Sequence, residues 1–214
     1  MSDDFLLTGT REPEPESIKL TAGPLSADLV NGNLRNIKYG QIEVLRAIAY
    51  VVRDRDWGTY DLLLSNVSIN QGDHSFDVGY DAECVGPGGT RLRIAAKIEA
   101  DASGLLFSAI AEPDGDFETN RCGFCILHPI VGVAGSPATI EHVDGSVAAT
   151  RFPSLIDPWQ PFKDMRAITH EVTSGLKAEC RMEGDSFEME DQRNWSDASF
   201  KTYVRPLALP WPYI

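Results

Sequence analysis

Phe76-Asp77-Val78-Gly79-Tyr80-Asp81-Ala82-Glu83-Cys84 places an apolar or small side chain at every second position, and Gly86-Pro87-Gly88-Gly89 follows it. A period of two sends alternate side chains to opposite faces of an extended chain, so the run reads as a strand with one buried face. The glycines and the proline then turn the chain. Beyond the turn, Leu92, Ile94, Ala96 and Ile98 alternate with Arg91, Arg93 and Lys97. Asp101-Ala102-Ser103-Gly104 makes a second turn, into the apolar run Leu105-Leu106-Phe107-Ser108-Ala109-Ile110-Ala111. Two successive hairpins are predicted, and with them an antiparallel sheet.

The pattern extends both ways along the chain. Ile42–Val52 is apolar on both parities, as a central strand buried on two faces would be. The Tyr39-Gly40 turn before it and Trp57-Gly58-Thr59-Tyr60 after it favour a strand over a helix. Residues 122–131, 138–143, 165–172, 176–182 and 186–190 also read as strands. About ten or more short strands at close spacing predict a sandwich or barrel. No segment longer than three turns combines a 3.6-residue period with helix caps. The expected fold is therefore all-β: one large antiparallel β-sandwich over residues 18–205, with few or no helices. Residues 1–17, with Glu12-Pro13-Glu14-Pro15-Glu16, read as an acidic flexible tail. Residues 206–214 are apolar and repeatedly broken by proline, so they read as a connector that docks on this domain or leads into a further one. Gly145–Phe162, rich in Phe, Trp and Pro, reads as a long loop that covers a core edge or lines a pocket.

Composition narrows the partners. Of 214 residues 43% are hydrophobic, enough for a substantial core, and the net charge of −13 repels polyanions. Nucleic acid is therefore not an expected partner. No apolar run approaches the ~20 residues of a membrane span, and MSDDFLLTGTREPEPES lacks the order of a secretory signal. A cytoplasmic setting is expected, with Cys84, Cys122, Cys125 and Cys180 reduced. Asn66-Val67-Ser68 and Asn194-Trp195-Ser196 then carry no sugar. Cys122-Gly123-Phe124-Cys125 has the spacing of a redox motif, but a strand-like run, Ile126–Gly132, follows where such a motif needs a helix. Both cysteines are read as packing residues. There is no phosphate loop, no nucleophile elbow and no HExxH, so neither a cofactor nor a metal is expected.

The densest polar set runs from Phe187 to Tyr203. Carboxylates and amides there could bind hydroxyls bidentately while an indole stacks on a sugar ring, which makes a small carbohydrate the expected ligand. The candidate binding residues are Arg121, Glu188, Asp191, Arg193, Asn194, Trp195, Asp197 and Lys201. Strand parity sends Phe187 and Met189 to the core and Glu188 and Glu190 to the other face. The plainer reading is a polar strand face and turn, with Arg193 paired to Asp191 or Asp197. His128, inside an apolar run, is a core histidine or a catalytic one.

Several segments carry a resemblance. Asn33-Leu34-Arg35-Asn36-Ile37-Lys38-Tyr39-Gly40, Glu43-Val44-Leu45-Arg46, Asn120-Arg121-Cys122-Gly123-Phe124, Leu127-His128-Pro129 and Glu188–Ser199 together resemble the N-terminal domain of the D-apionate lactonase family. The resemblance implies a β-rich domain of a longer enzyme that hydrolyses a sugar-acid lactone. The substrate would be D-apionolactone or one of its type, and this part would support or line the site. It also implies further C-terminal domains, a barrel among them, as partners. Gly32-x-Leu34-x-x-Ile37-x-x-Gly40 and a late-strand glutamate more faintly resemble the galactose mutarotase supersandwich. That likeness implies a histidine acid and a glutamate base, here His128 and Glu190, sharing the concave sheet face. The mutarotase Asn-His-x-Tyr-Phe segment is missing. A mutarotase-type aldose epimerase and a non-catalytic carbohydrate-binding module are the alternatives.

Overall fold

The computed structural model describes residues 15–214, so most of the expected tail lies outside the described residues. Strand β1 (Ser17–Ala22) opens an antiparallel meander with β2 (Leu25–Val30), β3 (Asn33–Tyr39) and β4 (Ile42–Arg53). A second, four-stranded antiparallel sheet follows: β5 (Leu63–Gln71), β6 (Ser75–Val85), β7 (Arg91–Asp101) and β8 (Leu105–Pro113). The chain then returns to the first sheet with β9 (Arg121–Pro129), β10 (Pro137–His142), β11 (Val147–Arg151) and β12 (Phe162–Thr173). It ends with β13 (Leu176–Arg181), β14 (Phe187–Asp191) and β15 (Ser199–Val204). The large sheet runs β1-β2-β3-β4-β9-β15-β14-β12-β10-β11, with β13 also paired to β12. Helix among the described residues is limited to two 3-10 turns, Pro87–Gly89 and Gln192–Trp195.

The alternation that predicted the hairpins sets their register. Phe76, Val78, Tyr80, Ala82 and Cys84 lie opposite Ala100, Ile98, Ala96, Ile94 and Leu92. This single apolar face packs on Leu20, Leu34, Tyr50 and Val52 of the large sheet. Each fully buried Leu or Ile of this kind contributes about 1.5–3 kcal/mol. β4 takes the central place expected of it, between β3 and β9. A second core, with Phe152, Phe162, Met165, Ile168, Phe187, Met189 and Phe200, continues along the large sheet. Leu45, Ile48 and Phe124 pack against both cores and join them. Gly123, at φ +145°, lets Val204 lie where a Cβ would stand.

Six strands have no counterpart in the sequence reading: β1, β2, β3, β5, β11 and β15. β11 lies within the expected Gly145–Phe162 loop and pairs with β10. Its residues are largely exposed at the sheet edge, so no buried face imposes alternation on them. β15 sits between β9 and β14 and is almost wholly buried on both faces, which blurs its period. The segment after it docks on the domain. Tyr213 exchanges backbone hydrogen bonds with Thr119, both at 2.9 Å, and its hydroxyl accepts from the Cys122 N–H. Among the described residues, no helix is long and apolar enough to cross a membrane.

Candidate functional site

The pairing of β9, β15 and β14 distributes the candidate residues between two faces. One row contains His128, Phe200 and Asp191, and the next contains Leu127, Lys201 and Glu190. Adjacent rows point to opposite sides of a sheet. His128 and Glu190 therefore do not share a face, and the acid–base pairing implied by the mutarotase likeness is overturned. Parity within β14 was legible, but the register that relates it to β9 depends on β15, the strand that the sequence obscured.

On the core side, His128 is fully buried and its Nε2 shares a 2.9 Å hydrogen bond with the Thr202 hydroxyl. Burial, helped by nearby His170, depresses its pKa to about 3, so the ring is neutral and packs beside Phe152. At the end of the same face, Asp191 is completely buried. It accepts from Arg193 Nε at 2.9 Å and Nη2 at 2.7 Å, and from the backbone N–H groups of Arg193 and Asp157. Arg193 donates further to the carbonyls of Pro153, Ser154 and Leu155 and lies over the Phe200 ring. Asn194 donates to the Asp157 and Asp191 carbonyls. Of the two partners open to Arg193 in the sequence, Asp191 is the one it takes. Burial pushes the Asp191 carboxyl up, but the Arg193 and backbone donors outweigh it and hold the group below its ordinary range.

The other face carries the remaining candidates. Glu190 pairs with Lys201 Nζ at 2.8 Å and accepts from the Trp195 indole at 3.3 Å. Burial pushes its carboxyl up, while the Lys201 and Trp195 bonds bring the net position below the usual carboxylate range. A carboxyl held in this way stays ionised at neutral pH and is poorly suited to donate a proton. Glu188 is buried and accepts the Tyr203 hydroxyl and the Leu207 N–H, each at 2.7 Å. Its bond to Leu207 tethers the segment that follows β15. Asp197 accepts from the Ser199 hydroxyl. Arg121, 7% exposed, stacks at 3.8 Å from the Tyr203 ring centre and 5.3 Å from that of Trp57.

The cysteines are all free. Cys122 and Cys125 both lie in β9, three residues apart, so their side chains leave opposite faces and cannot bridge without unfolding the strand. Burial raises both thiols, leaving little thiolate at neutral pH. Among the described residues, no three His, Cys, Asp or Glu side chains gather as a metal site would require. A cavity of about 600 Å³ lies on the core side, between the Ser103–Leu105 turn and the β12–β13 hairpin, and is floored by Ile48, Phe124 and Ile126. The sequence reading missed it because its walls come from segments far apart in the chain and none carries a motif.

The family described as D-apionate lactonase, N-terminal domain, matches residues 5–214. A D-apionate lactonase of Brucella anthropi is 64% identical over 212 residues, 99% of this chain. The chain spans 35% of that relative's length.

Proposed function

The chain belongs to the D-apionate lactonase N-terminal domain family, and from that premise we propose that it is the β-sandwich part of an enzyme that hydrolyses a sugar-acid lactone of the D-apionolactone type. The observation that carries this reading is 64% identity to a D-apionate lactonase across almost the whole chain. In this reading water adds to the lactone carbonyl, the ring C–O bond breaks, and a hydroxy acid leaves as its carboxylate. The domain lines or supports the site, and the acid and base come from elsewhere in a longer polypeptide, its partner in the reaction. Sealed, neutral His128 and ion-paired Glu190 support that division of labour. The sheet face that carries Arg121, Glu188, Glu190 and Lys201 is the side we assign to the substrate. Asp191, Arg193 and Asn194 hold the loop at Pro153–Asp157. Four free thiols suit a reducing compartment, so the proposed setting is the cytoplasm.

Each ester opened near neutral pH releases a proton, so a weakly buffered assay reads the reaction directly. The natural polypeptide that carries these residues is expected to open D-apionolactone, whereas residues 1–214 alone are expected to leave the background rate unchanged. No turnover by the natural polypeptide would refute the lactonase reading. Turnover by residues 1–214 that Glu190→Gln abolishes would move the chemistry onto this domain.

A further inference from the structure

The loop between β11 and β12 departs from what its composition predicts. Of its large apolar side chains only Phe152 enters the core, while Leu155, Ile156 and Trp159 are 82%, 54% and 75% exposed. Trp195, at the end of the second 3-10 turn, is 71% exposed. The two segments are bonded to each other. Asn194 donates to the Asp157 carbonyl, and Arg193 donates to the carbonyls of Pro153, Ser154 and Leu155. The β9–β10 turn joins the same surface. Phe152 N–H donates to the Ser136 carbonyl, Arg151 donates to the Gly135 carbonyl, and Val131 on that turn is 90% exposed.

A loop that only capped the core would turn such groups inward, where each gains by leaving water. Here the outward arrangement is fixed in place. Asp191, completely buried, pairs with Arg193 and also accepts the Asp157 N–H, so the loop is held from both ends of an ion pair. A buried ion pair is an inefficient stabiliser, and its attested use is to hold one arrangement against others. What this pair holds is an apolar platform that faces water. Large exposed apolar patches mark interaction surfaces, and Trp is enriched where binding energy is concentrated. A platform ordered in advance escapes the cost of ordering on contact.

Chain length names the occupant. The Brucella anthropi relative matches 99% of this chain, yet the chain spans 35% of that protein. We propose that Leu155, Ile156, Trp159 and Trp195, with Val131 beside them, form the surface on which the rest of the natural polypeptide docks. The proposal rests on the reading of this chain as one part of a longer enzyme. The Trp195 indole donates to Glu190, so the interface would adjoin the sheet face assigned to the substrate.

The test is hydroxyl-radical footprinting, read residue by residue by mass spectrometry. It compares residues 1–214, which have two cores of their own, with the natural polypeptide that carries them. Trp159 and Trp195 are expected to oxidise readily in residues 1–214 and roughly tenfold more slowly in the natural polypeptide, as covered interface side chains do. Leu106 and Ile110, exposed on the four-stranded sheet, should react alike in both. A protein with Leu155→Ser and Trp159→Ser should melt like the wild type in residues 1–214, since exposed positions contribute little to the fold. In the natural polypeptide the same pair of changes should restore the oxidation of Trp195. Equal oxidation of Trp159 and Trp195 in the two proteins would overturn the proposal. Protection that grows with the concentration of residues 1–214 alone would assign the patch to a second copy and overturn it too. Protection that requires added sugar would assign it to a ligand, with the same consequence. Protection in the natural polypeptide would stand even if that polypeptide failed to open D-apionolactone, so the two readings fail separately.

Discussion

Arg193→Ala is expected to destabilise the domain by about 3 kcal/mol, because it leaves the fully buried Asp191 carboxylate without its cation. At roughly 2–4 °C per kcal/mol for a domain of this size, the melting temperature should fall by about 6–12 °C. The loss has two sources. Asp191 keeps only backbone donors, from Arg193 and Asp157, and the carbonyls of Pro153, Ser154 and Leu155 lose theirs. Arg193→Lys should recover only part of the stability, since an ammonium restores the charge but cannot reach an aspartate and three carbonyls from one planar fork. Asp191→Ala combined with Arg193→Ala should cost less than the sum of the two single changes, because each then removes the other's orphan. Thermal melts of the four variants and the wild type decide the matter. An Arg193→Ala protein that melts like the wild type would show the pair to be a solvated surface contact.

The second large effect is a loss of stability in acid, traced to His128. The native ring resists protonation down to about pH 3, while an unfolded histidine takes its proton near 6.5. Between those values the unfolded chain binds more protons, so stability is complete above 6.5 and declines as the pH falls toward 3. The slope for one such group approaches ~1.4 kcal/mol per pH unit. His170, also depressed by burial, adds to it with the same sign. Asp191 contributes separately. Its carboxyl is held below its ordinary 3.8, so its share is lost only below that value. Glu190, likewise held below its ordinary 4.5, contributes only near and below that value, so urea unfolding between pH 7 and pH 5 isolates the histidines. His128→Leu, close in volume and unable to titrate, should flatten the curve by up to ~1.4 kcal/mol per unit over the lower part of that range. An unchanged slope in the variant would mean that His128 is not the neutral core residue the geometry makes it.

His128 also shows how far the sequence could be read. Its place in an apolar run left a core role and a catalytic role open, and nothing local could separate them. The answer lay in Thr202 and Phe152, which are 74 and 24 positions away in the chain and which hydrogen-bond the ring and pack beside it. Glu190 is similar. Alternation with Met189 sent it away from the core as expected, but its partners Lys201 and Trp195 follow from the pairing of β14 with β15 and from the turn between them. Arg121 was a candidate because of a resemblance. That no carboxylate among the described residues lies within ion-pair distance of it became visible only in the fold, where Glu188 and Glu190 are engaged by other partners.

By itself, the sequence determined the all-β class, the hairpins of β6 to β8, the central place of β4 and the family. Alternation, turn residues and segment identity are local properties of the chain, and a one-sided burial writes its period directly into the residues. Only the tertiary structure decided which strands are neighbours, and therefore which side chains share a face. β15 enters between β9 and β14, separates the rows of His128 and Glu190, and brings Tyr203 under Arg121. Non-local pairing of this kind depends on how two sheets close over a common core, and β15, six residues of mixed polar and apolar type buried on both faces, carries neither a period nor an apolar run from which it could be read.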